Sequence, residues 1–467
     1  MSVFSDLSSR RRFLSGAGAG LSGLAFAHLL HGESAVTSAL PRGQHFPARA
    51  KRVIWLFMHG GPSHVDLFDP KPELIKRAGQ TIPHSIRSFD SRADVARSPL
   101  MAPVKAFHKH GKSGIEISEF LPHMSTMADD FCVIRSCHGD SVNHPQSIYQ
   151  VNTGSTLVGK PSMGSWVSYG LGSENENMPA YVVMPDPSGG SKAGPSGWGS
   201  GFLPASYQGT TIRAGSSPFL NLQPAGGMSE QRERETLDLV RGLNETHSAE
   251  RGHDAQLEAR LESYDLAFKM QSEAPGVVDI SSENDVTKKL YGIDEPVTRE
   301  FGTRCLLARR MVERGVRFVQ IYAGNTNGWD AHDRLLSNHT SHCAKTDKPV
   351  AGLLMDLKQR GLLEDTLVIW GGEFGRMPMS EKGTGRDHNP WGYTTVLAGA
   401  GVKAGHVHGA TDDFGLRAEV DRVHVSDLHA TILHLLGVDH MRLNFRFNGL
   451  DQRLTGTAGN VVHGILA

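Results

Sequence analysis

Short apolar runs closed off by Gly or Pro, several of them apolar throughout, constrain this chain more than any other feature. They are RVIWLFM (52–58), FCVIRS (131–136), AYVVMP (180–185), VRFVQIYA (316–323), DTLVIWGG (365–372) and YTTVLAGA (393–400). A strand with one face in water alternates apolar and polar residues, whereas a strand buried on both faces has no reason to alternate. The runs therefore predict an α/β fold with a largely parallel sheet, because helical patterns separate them. FGTRCLLARRMVERG (301–315) and KPVAGLLMDLKQRG (348–361) are amphipathic and end at Gly315 and Gly361, the residue type that closes helices. VSDLHATILHLLGVD (425–439) places Val425, Leu428, Ile432 and Leu436 on one helical face.

Two segments interrupt this pattern. Residues 229–271 are strongly charged with apolar residues at helical spacing, which predicts a pair of helices joined near Arg251-Gly252-His253 and packed outside the sheet. Residues 186–228, rich in Gly, Pro and Ser, predict a lid or wall over a site. With 467 residues, 39% of them hydrophobic, the chain can bury a full core. Lys and Arg total 48 against 49 Asp and Glu, so no basic field exists to attract nucleic acid. The four cysteines match no zinc spacing and are too few for a disulfide framework.

The N-terminus carries SRRRFL (9–14) and then the uncharged run SGAGAGLSGLAFAHLL. A charged start before a weakly apolar stretch has the form of an export signal, and the paired Arg10 and Arg11 followed by Phe13 and Leu14 resemble a twin-arginine signal. The run is too short and glycine-rich for a good membrane span, so the mature chain is expected to have none. The expected organisation is a signal and linker over 1–48, then a single domain over 49–467, periplasmic or extracellular.

Ligand-type side chains follow the predicted strands. His59 follows the first, within FMHGGPSHVDLFDPKPEL (57–74). Asp140, Asn143 and His144 follow the second; Asp330, His332 and Asp333 follow VQIYA; Glu373 and Arg376 follow LVIWGG; Asp387 and His388 lie in GRDHNPWG. Ligands of open parallel sheets bind at the carboxyl ends of strands. Carboxylates and imidazoles gathered there, without cysteine, suit Zn²⁺, Mn²⁺ or similar ions. A pair of such ions about 3.5–4 Å apart is the usual arrangement for hydrolysing phosphate and related esters. Glycines after His59 let the backbone turn beside a ligand. Asp66 is a ligand candidate, whereas Asp69, ahead of Pro70, is expected to cap the helix that follows. Trp198, Trp329 and Trp391 lie in glycine-rich loops and are read as core or loop anchors before glycan platforms.

GDSVNHPQSIYQVNTG, GWDAHD, DTLVIWGGEFGRMP, GRDHNPWGYTTVLAGAGVKAG and HVSDLHATILHLLGVD, together with the first stretch, resemble the exported bacterial family called domain of unknown function 1501. That family is similar to the alkaline phosphatase and sulfatase superfamily. The resemblance runs from about Val53 to the C-terminus. It implies a three-layer α/β/α sandwich with a mixed, mostly parallel central sheet, metal ligands and a nucleophile at the sheet's C-terminal edge. His59 stands where the superfamily has an aspartate ligand, and His144 fills the nucleophile slot, counted back from Thr153-Gly154. Glu373-Phe374 replaces an Asp-His signature, while Asp330, His332 and His388 agree with the remaining ligands. Ser141 and Ser147 lie outside the expected slot.

The resulting expectation is a metal-dependent hydrolase of sulfate or phosphate esters, carried by small molecules or polysaccharides. It holds one or two divalent ions, with Zn, Mn, Ca and Mg not distinguished. His59, Asp66, Asp330, His332, Glu373 and His388 are the candidate ligands. His144 is a ligand or general base, and Arg376 holds the anionic group. The alternative is a metal-containing envelope protein without catalysis that binds an anionic glycan or a protein partner.

Overall fold

The computed structural model describes residues 43–467, apart from 84–85, 87–96, 214–218, 220–228 and 252–254. The twin-arginine segment, residues 214–218 and 220–228 of the expected lid and residues 252–254 at the join of the helical pair thus lie outside the described residues.

Among the described residues the central sheet has nine strands. In chain order they are β1 (Arg52–Met58), β2 (Phe131–His138), β3 (Tyr181–Met184), β4 (Thr210–Thr211), β5 (Phe318–Ala323), β6 (Thr366–Gly371), β7 (Tyr393–Ala398), β8 (His406–His408) and β9 (Val423–His424). Their spatial order is β8-β2-β7-β6-β1-β5-β3-β4, and β9 also pairs with β2. Only β7 runs antiparallel to its neighbours β2 and β6, so the sheet is mixed and mostly parallel. Central β1 pairs Val53 with Phe318 on one side and with Leu367 on the other.

Among the described residues there are seven longer helices: α1 (His144–Thr153), α2 (Met163–Leu171), α3 (Glu230–Arg251), α4 (Ala255–Val278), α5 (Arg299–Glu313), α6 (Leu335–Gln359) and α7 (Val425–Leu435). Side chains alternate across a strand, and β1 shows what that does here. Ile54, Leu56 and Met58 enter one apolar cluster with Leu306 and Met311 of α5 and Leu353 and Leu357 of α6. Val53, Trp55 and Phe57 enter another with Ile148 of α1, Trp166 of α2 and Ile432 of α7. Both faces are covered, which gives the three-layer α/β/α sandwich and explains why several strands are apolar throughout.

Two helices run further than their sequence signals. Lys348-Pro349 reads as a helix start because Pro suits the first turn, yet α6 begins at Leu335 and carries Pro349 inside. The upstream turns bury Leu335, His339 and Cys343, and that burial outweighs the backbone bond lost at proline. Likewise α4 continues past Pro275 to Val278 because Ala274 and Val277 are buried in the core. Among the described residues no helix is long and apolar enough to cross a membrane. The four cysteines are free and buried, and burial pushes the thiols of Cys132 and Cys137 up to about 12.

Candidate metal centre

The C-terminal edge of the sheet is built by turns whose shape depends on glycine. At the exit of β1, Gly60 has φ 108°, and a Cβ there would lie 2.6 Å from the Trp329 nitrogen. After β5, Gly328 has φ 46°, and a Cβ there would lie 2.0 Å from the His59 carbonyl oxygen. These two close approaches lay the β1 turn against the β5 loop. The Trp329 N–H donates to the His59 carbonyl at 2.9 Å. Asp330, the next residue, is thereby held at the centre of the edge.

Five side chains converge on the Asp330 carboxylate. His144 Nε2 is 2.9 Å and Lys192 Nζ 2.9 Å from Oδ2; Arg376 Nη2 is 2.8 Å, His332 Nε2 3.0 Å and His388 Nε2 3.1 Å from Oδ1. The remaining ring nitrogens are tied down. His144 Nδ1 is 2.6 Å from Glu373 Oε1, His332 Nδ1 2.5 Å from Glu381 Oε2 and His388 Nδ1 2.6 Å from the Val142 carbonyl. Those partners are acceptors, so each Nδ1 carries the proton and each Nε2 of a neutral ring presents a lone pair to Asp330.

That arrangement crowds acceptors together. His332 Nε2 and His388 Nε2 are 3.0 Å apart. Burial pulls the His388 imidazole down to about 4, so it is neutral at physiological pH. The Asp330 contact raises His332 against its burial, with Glu381 adding to the rise. One further proton on His332 still serves only one of these contacts. Among the described residues, His144 Nε2 is buried without a hydrogen bond of acceptable geometry. Lone pairs that converge on a carboxylate, with outer nitrogens fixed by carboxylate or carbonyl, are the arrangement that suits a cation. Ligand atoms of His144, Asp330 and His388 lie within 4.8 Å of one another, and so do those of His332, Asp387 and His388. The donor set therefore fits a divalent ion.

Burial would raise both central carboxyls, but their partners win. Partners that include the Arg376 guanidinium hold Asp330 far below the usual carboxylate range. His144 lowers Glu373 to about 2.

The remaining expected site residues are placed as follows. Glu373 is one residue removed: it receives the Gly60 N–H at 3.0 Å and orients His144. His59, fully buried, donates through Nδ1 to the Asn325 carbonyl at 2.9 Å, and its Nε2 accepts the Lys192 N–H at 3.2 Å. Burial first of all lowers its pKa. The expectation of Asp66 as a ligand is corrected: both its oxygens are taken by Arg386, Ser63 and the Val104 N–H. Asp69 does not cap the next helix, whose N-cap is Lys71 without a side-chain bond; it pairs with Lys71 and receives the Thr411 hydroxyl. Arg376 is fully buried, and its guanidinium donates to the carbonyls of Gly60, Gly61 and Arg386 as well as to Asp330. With those bonds made, it braces the cluster and is poorly placed to hold a substrate anion. Ser147 donates to the Ser141 carbonyl at 2.6 Å. Asp140 is engaged by Gln150 and His424, and Asp333 lies beside Arg334 on the rim. Trp329 is fully buried against His339 and His342, as an anchor is expected to be.

A model of the family described as "Protein of unknown function (DUF1501)" matches residues 50–466. The chain belongs to the DUF1501 family. No curated protein sequence matches it. Solved structures similar to this DUF1501 protein include the PsFucS1 sulfatase from Pseudoalteromonas sp., at 14% identity and TM-score 0.33, covering 88% of this chain and 72% of that one. The lipoteichoic acid synthase LtaP from Listeria monocytogenes is 9% identical with TM-score 0.35, covering 89% and 79%. A TAB5 alkaline phosphatase variant with Mg bound is 11% identical with TM-score 0.34, covering 84% and 99%.

Three residues of the DUF1501 site escape a reading of strand ends. Lys192 lies in the glycine- and serine-rich segment 186–228, where an isolated lysine within SGGSKAGPSG is its only sequence signal. Glu381 and Arg386 flank a tight loop, and nothing in their spacing announces their partners.

Proposed function

We propose that this protein is an exported, metal-dependent hydrolase of sulfate or phosphate esters. The observation that carries the reading is the convergence of three imidazole Nε2 atoms on Asp330, each ring fixed through Nδ1 by an acceptor. An ion would be held by His144, Asp330 and His388 or by His332, Asp387 and His388, because His388, with Nδ1 donating to the Val142 carbonyl, has one lone pair to give. A divalent ion supplies Lewis acidity toward ester oxygens and a water acidic enough to act at neutral pH. His144 opens α1 in the position expected of a nucleophile. With Nδ1 donating to Glu373, its Nε2 serves as a ligand or, when free, takes a proton as general base. Lys192 is the cation suited to the substrate's anionic group, since its side chain is 22% exposed while that of Arg376 is closed off. Export rests on the paired arginines at the N-terminus.

The second reading, a metal-containing envelope protein that binds an anionic glycan or a protein partner without turnover, is favoured by the absence of Ser, Thr or Cys at position 144. Elemental analysis of the folded wild type beside an Asp330→Ala, His388→Ala double variant tests the hydrolase. Expected is a metal equivalent that the variant loses, with hydrolysis of aryl sulfates or phosphates by the wild type alone. A wild type that stays metal-free and folded after metal supplementation overturns the proposal; bound metal without turnover leaves the second reading.

A further inference from the structure

The Asp66 carboxylate and the Arg386 guanidinium form an ion pair in which neither side chain is exposed. Arg386 Nε donates to Asp66 Oδ2 at 2.8 Å. Its other nitrogens reach the carbonyls of Met377, Pro378, Met101 and Ala102 at 2.9–3.2 Å. Asp66 in turn accepts the Ser63 hydroxyl at 2.5 Å and the Val104 N–H at 3.0 Å. The pair thus ties the segment after β1 to three other pieces of backbone.

The main chain of Arg386 extends this link to the cluster. Its N–H donates at 3.0 Å to the carbonyl of Ala331, the residue between Asp330 and His332. Its carbonyl accepts Arg376 Nη1 at 3.2 Å, and Arg376 also holds Asp330. Asp387 and His388 follow directly in the chain. One residue therefore touches, through its backbone, the two loops that carry His332 and His388, while its side chain is fastened to Asp66.

We infer that Asp66 and Arg386 are positioning residues that set the distance between the His332 and His388 loops, and through it the affinity of the cluster for a divalent ion. The inference rests on the metal-dependent reading given above. Asp69 supplies an internal control. It is equally buried, on the same segment, and paired with Lys71 at 3.1 Å, but the bonds of its carboxylate lead to Lys71, Arg135 and Thr411 and to neither ligand loop. Orienting groups behind metal ligands typically contribute about 10- to 100-fold in affinity.

The test is the dissociation constant of the full chain for Zn²⁺ and for Mn²⁺, each measured against a competing chelator, with the thermal midpoint of the metal-free protein recorded alongside. Asp66→Asn leaves a buried guanidinium without its counter-charge, so an Asp66→Asn, Arg386→Met double variant, which removes both charges together, is measured with it. Expected is a loss of affinity of at least about tenfold in every folded variant of the pair, with Asp69→Asn within about twofold of wild type even where its midpoint falls. Wild-type affinity in the folded double variant, or an equal loss in Asp69→Asn, overturns the inference and leaves the metal reading intact. A wild type that binds neither metal overturns both.

Discussion

Asp330 and Asp66 are both buried carboxylates at one edge of the sheet, and their surroundings separate two kinds of polar site. Asp66 faces one guanidinium, a hydroxyl and an amide N–H, all donors. Asp330 faces two cationic side chains and three imidazoles whose outer nitrogens are already spoken for. In the first site donors and acceptors match; in the second, acceptors meet acceptors. A buried carboxylate is thus weak evidence for a metal. What marks a ligand cluster is an excess of lone pairs that protons do not satisfy.

Breaking the matched site should have the largest effect on stability. Asp66→Asn strands a buried guanidinium, and removing one partner of such a pair costs about 3–5 kcal/mol, read from urea unfolding at pH 7. Burial would raise the Asp66 carboxyl, but Arg386 and Ser63 hold it below its ordinary value. A carboxylate depressed by folding stabilises fully above its unfolded pKa, near 3.9, and loses that contribution as pH falls further. Wild type should therefore lose stability below about pH 4, and the difference between wild type and Asp66→Asn should shrink there. A difference that stays constant down to pH 3 would contradict the pairing.

On the cluster side, Lys192→Met removes a charge-assisted contact expected to be worth about 1.5–3 kcal/mol. Its signature is a KM for a sulfate or phosphate ester raised by roughly ten- to a hundredfold, with metal content unchanged. An unaltered KM would dismiss Lys192 as the anion holder. The smallest change sharpens the tautomer argument: Glu381→Gln still meets His332 Nδ1 but offers no negative charge, and should weaken metal binding by about tenfold. Equal binding by the two proteins would mean that Glu381 does not orient His332.

How far the sequence could be followed depends on the element. All six long strands were legible, because burial on both faces writes a mostly apolar run. The helical pair was legible too, from its charge and spacing, although α4 runs on past its expected end to Val278. Among site residues, Asp330, His332 and Glu373 stood out as ligand-type side chains after strands, and His388 as one in a glycine-rich loop. Asp66 stood out for the same reason and was misread, because its type and place resemble those of a ligand while its partner Arg386 lies 320 residues away. Lys192 was hidden in a loop whose composition suggested only a cover.

The sequence by itself determined the layers, the family and the edge at which polar residues collect, since each follows from local periodicity or from motifs continuous in the chain. Only the tertiary structure decided which of those residues share a site. Hydrogen-bond partners such as His332 and Glu381, or Asp66 and Arg386, are chosen by loop paths that bring distant segments within about 3 Å, and no spacing along the chain encodes that distance.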